Sequence, residues 1–164
     1  MNSLILISTS AAVPVDRELP PPTEEFGRFV STAQVDWSDR DSVIEYLVDY
    51  QRVLAGGERP FDEAAVRGLV RRDLKRASDF AAVRNHDLMP QGQAPSKPLS
   101  AISAATLVIH GTADPMFPME HGKALAEEIP GATLLLREDA GHGVYRADWE
   151  RIAGAILDHT AAGG

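Results

Sequence analysis

An aspartate and a histidine each lie where an apolar segment of this sequence breaks into a loop. Asp114 ends the stretch "TLVIHGTAD", and His142 stands between two glycines in "DAGHG", shortly after "ATLLLR". An aspartate that accepts a hydrogen bond from one imidazole nitrogen fixes the tautomer of the ring and leaves the other nitrogen free to take a proton. The two residues therefore suit general acid–base chemistry, provided that the fold brings them together.

The last third of the sequence alternates between strand-like and helix-like segments. Apolar runs at 105–111 and 132–138 predict strands, and stripes of helical periodicity at 118–130 and 146–161 predict helices. This alternation indicates βαβ units and a parallel sheet, in which a right-handed crossover places successive strands side by side. Ligands bind at the carboxyl ends of such strands. We therefore expect Asp114 and His142 at one edge of one sheet.

The front of the chain predicts one strand followed by helices. The continuously apolar run at 3–9 is typical of a buried parallel strand, and a short helix is expected near "TEEFGRFV". Helical stripes cover 39–57, with Asp41 or Ser42 as cap and Gly56-Gly57 as stop, and 61–77, with Asp62 as cap. A third helical piece is expected at 78–89, before a Pro/Gln/Ser-rich linker at 90–100.

Composition narrows the range of functions. The length of 164 residues fits one domain, and a net charge of −8 argues against nucleic acid as a partner. The absence of cysteine excludes disulfides, thiolate catalysis and cysteine-type zinc sites. The apolar start lacks a basic region, and no run reaches membrane-spanning length. We expect a cytoplasmic protein with no membrane partner.

The residues from 99 onward resemble the C-terminal part of the α/β-hydrolase fold. The stretch "LSAISAATLVIHGTADPMFPMEHGKALAEEIPGATLLLREDAGHG" is similar to the penultimate strand with its triad aspartate, the next helix, the last strand and the triad histidine. The stretch "RPFDEAAVRGLVRRDLKRASD" looks most like polyketide methylesterases of the aclacinomycin methylesterase type. The resemblance implies that Asp114 is the triad acid and that His142 is the triad base.

The same resemblance implies the architecture. It predicts a partial α/β-hydrolase fold, with about three parallel strands, flanking helices and a helical cap insertion. Residues 1–14 would be the family's sixth strand and its exit loop, 15–98 the helical cap, and 99–164 the C-terminal α/β segment.

The nucleophile of this family is not found in the sequence. The family carries its serine in a G-x-S-x-G elbow before the sixth strand, and no such pattern occurs in these 164 residues. Ser8 and Ser10 follow the first strand but lack the elbow and its flanking glycines. We therefore expect a C-terminal fragment of a serine hydrolase of carboxylic esters, such as a methylesterase, that is inactive alone.

Substrate contacts are expected from the loop after Asp114 and from the cap. Met116, Phe117 and Met89 would form an apolar wall, for which packing in the core is an at least equal alternative. His86 would line a pocket, although a surface or core position is favoured for this residue. The substrate would be a small apolar or aromatic ester, and the resemblance implies no metal and no organic cofactor. The other histidines are assigned to packing (His110) or to exposed helix faces (His121 and His159).

Two further expectations concern partners and alternatives. An apolar edge strand at 3–9 presents unpaired backbone groups, which predicts a homodimer or pairing with a complementary N-terminal chain. The alternative function is a non-catalytic dimeric or ligand-binding module derived from the same fold. Haloperoxidase and C–C hydrolase chemistry also remain open, because both use the same Asp/His pair.

Overall fold

The core of the structure is a three-stranded parallel sheet. The structure is a computed structural model, and it describes residues 3–13, 15–57, 59–85 and 97–162. Its strands are β1 (Ser3–Ile7), β2 (Ala105–Gly111) and β3 (Thr133–Arg137), in the order β1-β2-β3. The register pairs Ile7 with Ile109, and Gly111 with Arg137. The predicted parallel sheet is confirmed, with β2 at its centre.

Helices cover both faces of the sheet, which is why every residue of β2 after Ala105 is buried. The first of these helices, α4, spans Met119–Glu128, and the second, α5, spans Trp149–Ala162. Leu107 and Ile109 of β2 pack against Ile152 of α5 on one face. Val108 packs on the other face against Leu125 and Ile129, at the end of α4.

Within the described residues, three α-helices lie between β1 and β2. They are α1 (Glu24–Thr32), α2 (Arg40–Ala55) and α3 (Glu63–Arg76). Ile44 and Val48 of α2 pack against Val70 of α3, and α1 contacts α2 through aromatic rings.

The structure corrects the predicted cap of α2. Asp62 caps α3 as predicted, but Asp39 caps α2 in place of Asp41 or Ser42. Asp39 has extended backbone angles, and its side chain accepts a hydrogen bond from the N–H of Asp41, which already lies in the first helical turn.

The buried face of α5 is narrower than its sequence predicts. The apolar stripe at 146–161 contains Trp149 and Leu157 beside Ile152 and predicts that they face the sheet, but they are 56% and 68% exposed. The helix contacts the sheet through Ile152 and Ile156, and Leu157 lies off that face.

Short 3-10 turns occupy Ala81–Arg84, Leu99–Ala101 and Arg146–Asp148. Within the described residues, no helix has the length and apolar character needed to cross a membrane.

Candidate active site

Asp114 lies in a tight turn directly after β2, with its carboxylate buried. One carboxylate oxygen, Oδ1, accepts hydrogen bonds of 2.9 Å from the backbone N–H groups of Met116 and Phe117. Pro115 follows Asp114 and disfavours helical backbone angles there, so the chain turns at this point. The turn fixes the carboxylate and leaves its second oxygen directed toward the loop after β3.

His142 occupies that loop, and its ring meets the second oxygen of Asp114. The distance between His142 Nδ1 and Asp114 Oδ2 is 2.9 Å. Because a carboxylate only accepts hydrogen bonds, Nδ1 carries the proton and Nε2 remains unprotonated in the neutral ring. The His142 side chain is 23% exposed, whereas that of Asp114 is fully buried.

The surroundings of Asp114 favour its ionised form. Burial by itself raises the pKa of the Asp114 carboxyl, but the hydrogen bonds from His142 and from the Phe117 N–H outweigh it, so its pKa lies below the ordinary value of 3.8. An ionised carboxylate at this distance stabilises the imidazolium that forms when Nε2 takes a proton. The pair can therefore act as an oriented general base.

Another histidine, His110, is buried and contacts the turn that carries Asp114. His110 Nε2 lies 2.7 Å from the carbonyl oxygen of Phe117, so this nitrogen must be the donor. Burial lowers the pKa of His110 below 6.5, which keeps the ring neutral beside Asp114. Gly122 of α4 makes room for the ring, because a Cβ there would lie 2.6 Å from His110 Cγ. His110 thus packs, as predicted, and in addition ties down the turn that carries Asp114.

The end of helix α2 contacts the backbone of the His142 loop. The N–H of His142 donates to the carbonyl of Leu54 over 2.8 Å. Gly141 has no space for a side chain, because a Cβ would lie 2.0 Å from the carbonyl oxygen of Ala55. A helix end has carbonyls without intrahelical partners, and here one of them fixes the histidine loop.

Sequence reasoning missed a cluster of charges beneath the same loop, two of them buried and one partly exposed. It consists of Arg137 at the end of β3, Asp148, and Arg59 from the loop before α3. Arg137 Nη1 lies 3.3 Å from Asp148 Oδ2, and Arg59 Nη1 lies 2.9 Å from each oxygen of Asp148. The one signal in the sequence is an arginine that ends the apolar run "TLLLR".

The predicted substrate residues are only partly described. The Phe117 ring lies beside the His142 ring, with centroids 5.7 Å apart. Met116 is half-buried in the Asp114 turn. His86 and Met89 lie outside the described residues. The substrate roles of all four stay predictions.

The expectation that His121 is exposed is wrong. His121 is 8% exposed, because the segment after β1 folds over α4. The ring lies between Ser10 Oγ, 2.7 Å from Nδ1, and the carbonyl of Pro20, 2.9 Å from Nε2.

The two serines after β1 were considered as nucleophiles, but both have other partners. The Ser8 hydroxyl accepts a hydrogen bond from Arg137 over 3.1 Å, and Ser10 contacts His121. Both serines that follow β1 therefore contact groups other than His142.

A cavity of about 470 Å³ borders the His142 loop at Ala140 and Gly141. Its wall includes Phe61 and Val66 near the start of α3, together with Gly141 and Tyr145. The side chains of Asp114 and His142 are not part of this wall. Among the described residues, no group of three or more histidine, aspartate or glutamate side chains is arranged to bind a metal ion.

Sequence comparison finds esterase relatives. The α/β-hydrolase family model described as TAP-like protein matches residues 81–158. The chain is 32% identical over 148 residues to rhodomycin D methylesterase DauP of Streptomyces sp. strain C5, and the match covers 88% of this chain and 49% of that protein. The chain thus spans about half the length of the curated relatives it matches.

Solved structures with the same fold include hydrolases. A meta-cleavage product hydrolase from Pseudomonas fluorescens IP01 superposes with a TM-score of 0.67 at 17% identity, over 99% of this chain and 56% of that one. An esterase from Exiguobacterium antarcticum superposes with a TM-score of 0.66 at 19% identity, over 98% of this chain and 57% of that one. The sheet with its flanking helices is therefore part of an α/β-hydrolase fold.

Proposed function

We propose that this chain, which belongs to the α/β-hydrolase-fold proteins, supplies the acid and the base of a serine-type hydrolase of carboxylic esters. The observation that carries the proposal is the 2.9 Å hydrogen bond between His142 Nδ1 and the buried carboxylate of Asp114. The methylesterases among the relatives by sequence support the choice of ester hydrolysis over C–C bond cleavage or halogenation.

The proposed reaction runs through His142 Nε2. This nitrogen takes the proton of a serine hydroxyl as the serine oxygen bonds to the ester carbonyl carbon. The tetrahedral intermediate then expels the alcohol, which leaves with the proton from Nε2. Water, deprotonated by the same nitrogen, then bonds to the acyl carbon, and Nε2 returns the proton to the serine oxygen as the acid is released. Asp114 stays ionised throughout and stabilises the imidazolium formed in each half-reaction.

The nucleophile is proposed to come from polypeptide outside these 164 residues. No serine here lies in a G-x-S-x-G pattern, and the hydroxyls of Ser8 and Ser10 contact Arg137 and His121. Among the described strands, β1 pairs with β2 on one side and has no strand on the other. A complementary N-terminal segment that pairs with this free edge would supply the serine and the oxyanion donors.

Self-association is the competing use of the same edge. Two copies that pair through residues 3–9 would form a homodimer, whose mass by light scattering would be twice 17.7 kDa. A monomer that becomes a stoichiometric complex when the complementary segment is added supports our proposal. A stable homodimer that does not take up the segment contradicts it.

We propose a methyl ester of a bulky aromatic acid as the substrate class. The support is the similarity to a rhodomycin D methylesterase and the Phe117 ring next to His142, which offers an apolar surface to an aromatic group. We further propose a cytoplasmic location, with which the absence of cysteine is compatible.

The test compares the chain alone with the chain completed by the polypeptide that is encoded in frame upstream of Met1. A chromogenic carboxylic ester and an aromatic methyl ester are the substrates. We expect the chain alone to match the His142→Ala background, and the completed protein to hydrolyse both esters.

Matched histidine variants decide whether the pair is responsible. We expect His142→Ala to abolish hydrolysis by the completed protein, and His159→Ala, on α5, to leave it unchanged. Hydrolysis that survives His142→Ala would refute the proposal. Tight ligand binding without turnover, unaffected by Asp114→Asn, would instead support a non-catalytic binding module.

A further inference from the structure

Arg137 lies directly beneath the loop that carries His142, and its side chain is fully buried. Its Nη1 donates to the carbonyl oxygen of Gly143 over 2.8 Å, and its Nη2 donates to that of Gly141 over 3.0 Å. These two carbonyls belong to the residues on either side of His142. One guanidinium therefore donates hydrogen bonds to the backbone on both sides of the proposed base.

The remaining contacts fix the guanidinium itself. Nη2 also donates to the hydroxyl of Ser8 after β1, and Nη1 contacts Asp148 Oδ2. Arg59 donates to both oxygens of Asp148 and to the carbonyl of Glu138, so it closes the cluster from the other side. The guanidinium is thus fixed by Ser8 after β1 and by Asp148 in the turn before α5, and Asp148 is fixed in turn by Arg59 in the loop before α3.

Stability alone is a weak reason for this arrangement. A buried ion pair is often no more stabilising than apolar side chains of the same size, because both charges lose their hydration. What a guanidinium adds is a rigid planar fork of donors whose geometry an ammonium group cannot reproduce. That fork is used here on a segment with two glycines, whose backbone would otherwise have wide conformational freedom.

We propose that Arg137 is a positioning residue for the base, and that it keeps the His142 ring in line with Asp114 by fixing the carbonyls of Gly141 and Gly143. The inference rests on the proposed function, in which His142 transfers the protons. The His142 N–H is also bonded, to the carbonyl of Leu54, so the loop backbone is fixed at three points by this chain.

The test reads the His142–Asp114 hydrogen bond on the chain by itself. In nitrogen-15 labelled protein, the Nδ1 proton of His142 is assigned by its loss in Asp114→Asn. Its exchange with solvent is compared with that of the Ile109 amide in the central strand, which reports global opening. The ratio of the two rates separates a local effect on His142 from general destabilisation.

The decisive variant is Arg137→Lys. It keeps a positive charge near Asp148, but one ammonium cannot donate to both carbonyls in the original geometry. We expect the His142 exchange rate to rise about tenfold or more relative to Ile109, the factor expected from losing at least one hydrogen bond. Arg67→Lys is the matched control, because Arg67 pairs with Glu45 and Glu63 on the helices between β1 and β2, and it should leave the ratio unchanged.

An unchanged ratio in folded Arg137→Lys would overturn the proposal. If that variant does not fold, Asp148→Asn replaces it. It removes the charge that fixes Arg137 while keeping the shape of the side chain, and it should give a smaller rise in the same ratio. An unchanged ratio there would equally overturn it. Because no substrate is needed, failure of ester hydrolysis in the completed protein would refute the proposed function and leave this result standing.

Discussion

The close approach of Gly141 to helix α2 provides the sharpest test of the site geometry. An alanine Cβ at this position would lie 2.0 Å from the carbonyl oxygen of Ala55 and 2.2 Å from that of Leu54. Both obstacles are backbone atoms near the end of a 16-residue helix, so no side-chain rotation can relieve the clash. The His142 loop must move away from α2 when Gly141 is replaced.

The size of the effect follows from two contributions. Forcing an extra methyl group into a packed site costs about 1–3 kcal/mol. The displaced loop also weakens the bond from the His142 N–H to Leu54, which contributes about 0.5–1.5 kcal/mol. We expect Gly141→Ala to lower the free energy of unfolding by about 1.5–4.5 kcal/mol. For a chain of this size, the melting temperature should fall by roughly 3–18 °C.

Thermal and urea unfolding followed by circular dichroism measure this loss. Gly154→Ala is the matched control, because a Cβ at Gly154, within helix α5, meets no atom within 4 Å. The control should be neutral or more stable by up to about 1 kcal/mol, since alanine favours helix over glycine. A melting temperature for Gly141→Ala equal to that of Gly154→Ala would show that the loop does not contact α2 as described.

Three further predictions concern the Asp114 turn. Gly122→Ala should destabilise by about 1–3 kcal/mol in urea unfolding, because its Cβ would overlap the His110 ring; wild-type stability would contradict this. Burial lowers the pKa of His110, so the unfolded chain binds more protons below about pH 6.5 and the free energy of unfolding falls as the pH drops. His110→Gln should reduce that fall and His159→Gln should not, whereas equal slopes would contradict the assignment. In the completed protein, Asp114→Asn should lower kcat by about 10⁴-fold, and a loss below tenfold would argue against its role.

The sequence predicted the parts of the site that local patterns control. Asp114 and His142 each follow an apolar strand, and parallel pairing of β2 with β3 brings the two loops to the same edge. Periodicity also predicted α2 and α3, because an apolar stripe on a helix must face a neighbour. These features depend on patterns of residues that are close together in the chain, so they can be recognised in a single sequence.

Features that depend on distant contacts were not predictable in this way. The assignment of His121 to an exposed face failed because Ser10 and Pro20, more than a hundred residues earlier, cover it. The role of Arg137 was missed for the same reason, since Ser8 and Asp148 reach it from separate elements. Irregular segments with no periodicity carry these contacts, and their paths depend on the packed structure.

The supports of the Asp114–His142 pair have a consequence for how the proposed enzyme is assembled. Leu54, Arg137 and the turn at Met116 and Phe117, which together hold the pair in register, all belong to this chain. Because none of these supports comes from the side of β1 where a nucleophile segment would pair, the acid and the base would be oriented before the proposed segment arrives. The nucleophile would then meet a base whose tautomer and direction are already fixed. Its pairing with β1 would cost no rearrangement of the pair, so the rate of activation on mixing should follow the rate of complex formation.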